Sequence, residues 1–172
     1  MGTSDKAARL ASAPVDADLF RSVLGNFASG VTIVTAMDDG EPVGLTAQSF
    51  TSLSLDPPLV MFCPKLTSTS WPRIEHAGHF AANILAEGQE SLGMSFAKSG
   101  GDKFADVGWS AGLSGAPLLD GVLAYIDCQI EAVHPGGDHQ IVIGRVLHLA
   151  ADAGRKPLVY FRSAFESLRP RA

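Results

Sequence analysis

Two long apolar runs, VLAYIDCQIEAVH (122–134) and HQIVIGRVLHLAA (139–151), stand four residues apart across Pro135-Gly136-Gly137-Asp138. Both are rich in β-branched residues, which suit a pleated, half-buried surface. A gap of four residues lets a chain reverse, whereas a parallel crossover needs a dozen or more. The pair therefore predicts a long antiparallel hairpin, and a fold built around it.

The remaining segments agree with that frame. Residues 1–15 are rich in Ala, Ser and Asp and are expected to form a flexible tail, followed by one domain over 16–168. Asp16 or Asp18 caps a predicted helix that carries Phe20, Val23, Leu24 and Phe27 at helical spacing and runs to about Ser29, with Gly30 ending it. GVTIVTAM (30–37) and VGLTAQSFTSLSL (43–55) read as extended runs around an Asp-Gly turn at 39–40. LVMFC (59–63) and HFAANIL (79–85) read as fully buried strands, and STSWPRIEHAG (68–78) as a short helix capped by Ser70 or a neighbouring hydroxyl and stopped by Gly78. GQESLGMSFAKSGGDKF (88–104) begins as a helix and ends in a glycine-rich loop. Residues 105–121 are largely loop, and KPLVYFRSAFESL (156–168) is a short strand or turn leading outward. Six or seven strands that do not alternate with helices predict a mainly β fold, an antiparallel closed sheet with peripheral helices.

Composition narrows the function. The 172 residues carry a net charge of −5 and no basic run, which disfavours nucleic acid as a partner. No stretch of about 18 apolar residues exists to cross a membrane as a helix, and the N-terminus lacks the apolar core of a signal peptide. Only 18% of residues are charged while 46% are apolar, so a second copy is expected to cover some apolar surface. Cys63 and Cys128 lie in apolar runs and read as buried free thiols of a reducing, cytoplasmic environment.

Several motifs bear on chemistry. GWSAG (108–112) matches the hydrolase elbow with Ser110 as nucleophile, but that elbow requires a buried strand before it and a helix after it. The flanks here are polar on one side and Gly/Pro-bearing on the other, so a chance match in a loop is the better account. No dinucleotide fingerprint or phosphate-binding P-loop is present. TAQSFTSLS (46–54) and KLTSTS (65–70) concentrate hydroxyls on either side of one buried strand, with Lys65 beside them. Such hydroxyls and a lysine suit a phosphate-bearing ligand, although outward-facing strand residues and a helix cap account for the same composition. His134 and His139 flank the hairpin turn with no third ligand evident, so no metal is expected. Asp138 either forms an Asx-type turn or orients His139 by accepting from one ring nitrogen.

Taken in order from Phe20 to Phe165, the segments GVTIVT, GLTAQSFTSLSLDPPLVMF, STSW, FAANIL, GAPLL, GDHQIVIGRV and PLVYF resemble the flavin reductase family. That family comprises the small reductase components of two-component flavin-dependent monooxygenases, built on the FMN-binding split β-barrel. The resemblance implies a homodimer that binds FMN or FAD, takes a hydride from NADH or NADPH, and supplies reduced flavin to a separate monooxygenase component. A flavin-binding sensor or storage protein on the same barrel is the alternative, and the Asp138-His139 pair favours the enzyme. The resemblance places Thr46, Ala47, Gln48 and Ser49 along the flavin ring edge and Ser52 and Ser54 near the ring or its side chain. By the same resemblance Ser68, Thr69 and Ser70 are expected to take the phosphate, with Lys65, and Asn83 to touch the flavin. His139 is expected to be the catalytic residue beside the nicotinamide, held by Asp138, with Tyr160 or Phe161 closing the pocket. Family members often carry Asn where Gln48 stands, which alters the reach of one contact at the ring edge.

Overall fold

The predicted hairpin is the spine of the molecule. A computed structural model describes residues 16–168, and the expected tail lies outside them. The chain runs α1 (Ala17–Leu24), β1 (Ser29–Gly30), β2 (Thr32–Asp38), β3 (Glu41–Ala47), β4 (Thr51–Leu55), β5 (Pro58–Phe62), α2 (Trp71–Ala77) and β6 (His79–Ile84). It continues with α3 (Glu90–Ala97), β7 (Trp109–Ala111), β8 (Pro117–Leu119), β9 (Ala124–Gly136), β10 (His139–Ala151), β11 (Val159–Phe161) and β12 (Ala164–Glu166). The strands β9 and β10 reach further into the turn than the sequence suggests. Gly136 pairs with His139, leaving only Gly137 and Asp138 as the loop, and Gly137 takes the positive φ of 76° that such a tight reversal needs.

Seven strands form one antiparallel sheet in the order β3-β2-β6-β9-β10-β5-β4. Its two edge strands, β3 and β4, are consecutive in the chain and separated only by Gln48, Ser49 and Phe50. The sheet must therefore curl until its edges meet, which makes a barrel that is closed in shape but unpaired at one seam. The run 43–55, expected to be one strand, is thus two strands on opposite edges. Ser49 stitches the seam: its hydroxyl accepts from the backbone N–H of Cys63 at 2.8 Å, just past β5.

Alternation along β2 explains why its run is apolar throughout. Val34 and Ala36 face the barrel interior with Phe62, Phe80 and Val142, while Val31 and Ile33 pack outside it with Leu85, Phe96 and Leu158. Burial on both faces removes the polar alternation of a half-exposed strand. Phe62 meets Phe80 and Trp71 edge-on at 5.1 and 5.7 Å, and Trp71 and Ile74 of α2 plug one end of the barrel. Helix α2 ends at Gly78, whose φ is 73°, as expected, and the hydroxyl that accepts from Trp71 N is that of Ser68 rather than Ser70.

Three further expectations change. Helix α1 stops at Gly25 rather than Gly30, because the Asn26 side chain donates to the carbonyls of Ser22 and Val23 and closes the last turn. Residues 105–121 contain the small β7–β8 ladder. The segment 156–168 does not lead outward: β11 and β12 form a hairpin that pairs back onto β1.

Candidate active site

A cleft of about 1010 Å³ opens at the barrel seam. One wall is the end of β3 and the start of the seam loop, with Thr46, Ala47, Gln48 and Ser49. The other is the segment after β5 together with the tip of the long hairpin, with Lys65, Ser68, Thr69, Ser70 and His139. Leu45, Phe96 and Ile141 supply apolar floor, and Phe20 reaches in from α1. The two hydroxyl-rich stretches that flank β5 in sequence therefore face one space.

The hairpin tip is latched from both sides. Leu66 N donates to Asp138 O and Gln140 N to Pro64 O, each at 3.0 Å, and Lys65 bridges to His139. His139 Nδ1 lies 2.8 Å from the Asp138 carboxylate, and this hydrogen bond holds Asp138 below the usual carboxylate range. With Asp138 accepting from Nδ1, the Nε2 atom of the half-buried ring has no protein partner among the described residues. The pair closes the hairpin, and His139 lines the cleft.

Charge is the most distinctive property of this cleft. Lys65, Lys98 and Lys103, three of the chain's five lysines, line it, and no Asp or Glu side chain does. Lys103 is half-buried and donates to Gly44 O and Phe96 O, each at 3.1 Å, and to Ser70 Oγ at 3.4 Å. Burial lowers its pKa, since no anion compensates the desolvated ammonium. An apolar floor, a rim of hydroxyls and a lining with lysines but no acid fit a flat aromatic ligand with a phosphate. Thr46 and Ser49 are partly committed already, because Thr46 Oγ1 donates to Gly93 O at 2.7 Å and Ser49 binds Cys63.

Other expected residues stand elsewhere. Asn83 is fully buried and does not face the cleft: its amide donates to Thr35 Oγ1 at 3.0 Å and to backbone carbonyls, and its carbonyl accepts from Leu119 N at 2.8 Å. It is a bracket between β2, β6 and β8, out of reach of a ligand. Ser52 and Ser54 lie on the edge strand β4, away from the cleft lining. Tyr160 and Phe161 lie in the β11–β12 hairpin, where Tyr160 packs edge-on against Phe165, and neither lines the cleft within one chain. Cys63 is half-buried and lines the cleft, while Cys128 is buried as expected, its thiol pushed up to about 12 by burial and by Asp127. Ser110 sits in the exposed strand β7, with no helix following it.

Sequence reasoning missed Phe20, Phe96, Lys98 and Lys103. Phe20 looked like core on an amphipathic helix, and both lysines fall in a glycine-rich stretch without periodicity. The signal was present in the scarcity of lysine and its clustering at 98 and 103. No acid stands at ligand spacing from His76 and His79 in the sequence, yet His76 meets Asp38 at 2.7 Å across the fold. Asp39 lies beside them, but both Asp38 oxygens are already engaged by His76 and Arg73.

An antiparallel barrel with a lysine- and hydroxyl-lined cleft at an unpaired seam has the polarity that a planar anionic ligand suits. The chain belongs to the flavin reductase family: the flavin reductase like domain matches residues 24–169. It is 47% identical over 161 residues to the reductase subunit HsaB of a flavin-dependent monooxygenase from Rhodococcus jostii, covering 94% of this chain and 83% of that one. It is 41% identical to the FMN reductase (NADH) SmoA of Agrobacterium fabrum, covering 85% and 83%. Among solved structures, the NADH:FAD oxidoreductase SgcE6 of Streptomyces globisporus superposes with a TM-score of 0.86 at 38% identity, covering 92% of this chain and 96% of that one.

Proposed function

We infer that the seam cleft is where this chain, an NAD(P)H-dependent flavin reductase, holds its flavin, and that reduced flavin leaves it for a separate monooxygenase component. The activity follows from family membership, and relatives named as reductase components carry the monooxygenase partner with them. The single observation that carries the site is the set of three lysines without an acid, in a chain whose net charge is −5.

When bound, flavin supplies the electron-accepting ring, so the protein needs no strong acid or base of its own. Its task is position and polarity. Ala47, Leu45 and Ile141 give the ring an apolar bed, while Thr46, Gln48 and Ser49 line its polar edge. Ser68, Thr69 and Lys65 attend the phosphate. His139, latched through Asp138 and the Pro64–Leu66 segment, presents Nε2 on the nicotinamide side. Because Gln48, Ser49, Lys65 and Thr69 are exposed, the site exchanges freely with solvent, as a diffusing flavin requires.

The exposed face of α1 supports a homodimer. Leu19, Phe20, Val23 and Leu24 are each half exposed and Phe27 is 81% exposed, an apolar stripe left open among the described residues. A second copy covering that stripe would also border the cleft through Phe20. Two unpaired cysteines support a reducing, cytoplasmic setting, and no helix among the described residues is long and apolar enough to cross a membrane.

The test is oxidation of NADH and of NADPH, followed by absorbance, with FMN and with FAD. Flavin-dependent loss of the reduced nucleotide is expected with at least one pair. No loss with any pair overturns the enzyme and leaves the flavin-binding alternative. Light scattering on the eluted protein is expected to give twice the 18.0 kDa chain mass.

A further inference from the structure

A second cleft of about 810 Å³ lies beside the first, and the two share Thr69, Ser70 and Lys103 as a common wall. The chemistry changes across that wall. On the first side there are lysines and no acids. The second side is lined by Glu41 and Asp102 as well as Arg73 and Lys103, so the charges balance in number, and the indole of Trp109, 36% exposed, offers a flat surface.

The charges of the second cleft are also mostly paired. Arg73 binds Asp38 at 2.8 Å and Glu41 at 3.4 Å, and Asp102 accepts from Phe104 N at 3.0 Å. Lys103, on the wall itself, is bound only to the neutral oxygens of Gly44, Phe96 and Ser70, and no carboxylate lies within ion-pair reach of it among the described residues. The order along the surface is thus an anion-hungry cleft, an uncompensated cation, and a balanced cleft with an aromatic face and carboxylate acceptors. A molecule with that same order has a flavin, a pyrophosphate, then a ribose and a base. Ribose hydroxyls donate to carboxylates, and a purine stacks on an indole.

We propose that the second cleft receives the adenosine half of FAD, with the pyrophosphate crossing the Ser70–Lys103 wall, and that this chain therefore prefers FAD to FMN. The proposal rests on the assignment of the first cleft to the flavin and of the Ser68–Ser70 wall to its phosphate. FMN ends at that wall and leaves the second cleft unused.

The experiment is an equilibrium titration of the full chain with riboflavin, FMN and FAD, read by flavin fluorescence without nicotinamide. FAD is expected to bind at least about tenfold more tightly than FMN. Trp109→Ala is expected to weaken FAD about fivefold or more, within the range of one base–aromatic stack, with FMN affinity changed less than twofold. Ala105→Glu, on an exposed position that lines the same cleft, fills and charges it instead of truncating it, and should do the same if Trp109→Ala fails to fold. Equal affinity for FMN and FAD overturns the proposal, as does an equal loss of both in the variants. In a second arm, KM for NADH and for reduced nicotinamide mononucleotide is measured at saturating flavin in the same variants. Unchanged values support the proposal, and a loss confined to NADH reassigns the cleft to the adenosine of the electron donor and overturns it. Failure of all three flavins to bind sinks the first cleft as the flavin site, a result distinct from equal binding.

Discussion

Two groups of polar side chains are built into this sheet, and they are finished differently. Around Asn83 each polar group ends on a partner of its own chain: Thr35 donates to Pro117 O at 2.6 Å, and the fully buried carboxylate of Asp127 accepts from Ser114 N at 2.9 Å and from the Ser114 hydroxyl. Along the seam cleft, the side chains of Gln48, Lys65, Thr67, Thr69, Lys98 and Ser99 make no hydrogen bond to protein among the described residues. The first group pins the small β7–β8 ladder to the barrel, and the second faces solvent with its capacity intact. Residue type does not separate the two. Position does: Asn83 and Thr35 lie within strands, fully buried between two packed layers, whereas the cleft residues lie at strand ends and in the segments beyond them.

This contrast is open to direct attack. Asn83→Ala should produce the largest change, a loss of about 3 kcal/mol in unfolding free energy by denaturant titration, because it leaves Leu119 N and several buried acceptors without partners. Flavin affinity of the folded variant should be unaltered, and a selective loss of flavin binding would return Asn83 to the site. His139→Ala should raise KM for the nicotinamide donor about tenfold, roughly 1.4 kcal/mol, while flavin affinity and stability hold. Equal loss of flavin and nicotinamide binding would make His139 a structural part of the hairpin tip. Replacing Ser68, Thr69 and Ser70 together by alanine should weaken FMN about fivefold relative to riboflavin, which lacks the phosphate. A matching loss for both ligands would put the phosphate elsewhere.

The smallest effect belongs to neither group. His76 is raised above its usual value by its hydrogen bond to Asp38, and Asp38 is lowered by His76 and Arg73. A raised histidine stabilises the fold below its unfolded pKa of about 6.5, and that contribution is lost as pH rises through the higher folded value. A lowered aspartate contributes above about 3.9 and is lost as pH falls through its folded value. The pair should therefore support stability most between about pH 4 and 6.5. His76→Ala should flatten the decline of the melting temperature just above that window, by a small amount because the histidine is exposed.

Much of the barrel was legible because its strongest elements announce themselves locally. The β9–β10 hairpin, the buried runs of β2, β5 and β6, and the Gly78 helix stop each follow from periodicity or from one backbone requirement. The break between β3 and β4 carries neither Gly nor Pro, so nothing in 43–55 marks the point where the chain leaves one edge of the sheet for the other. The β11–β12 turn was hidden for a related reason: Arg162 and Ser163 adopt φ of 48° and 64°, a conformation usually signalled by Gly or Asn. In the site, the hydroxyl segments and the Asp138-His139 pair were readable as motifs. Asn83 was misplaced because one polar residue in an apolar run can face either a ligand or a neighbouring strand. Lys103 was missed because its role depends on carbonyls contributed by β3 and α3, which only the fold brings together.

The unpaired seam has a kinetic meaning. On the proposed site, a ligand held between the end of β3, the segment after β5 and the hairpin tip can depart without breaking any ladder hydrogen bond of the sheet, so its dwell time follows its contacts alone. Turnover of the pair of proteins is then set by how quickly the product dissociates and how far it must diffuse. Strengthening the hold on the oxidised ring would slow delivery unless the reduced form were held more weakly. Substitutions that tie the β3–β4 loop to the segment after β5, for example a disulfide across positions 48 and 63, should lengthen the dwell time and starve the acceptor protein while leaving the barrel intact.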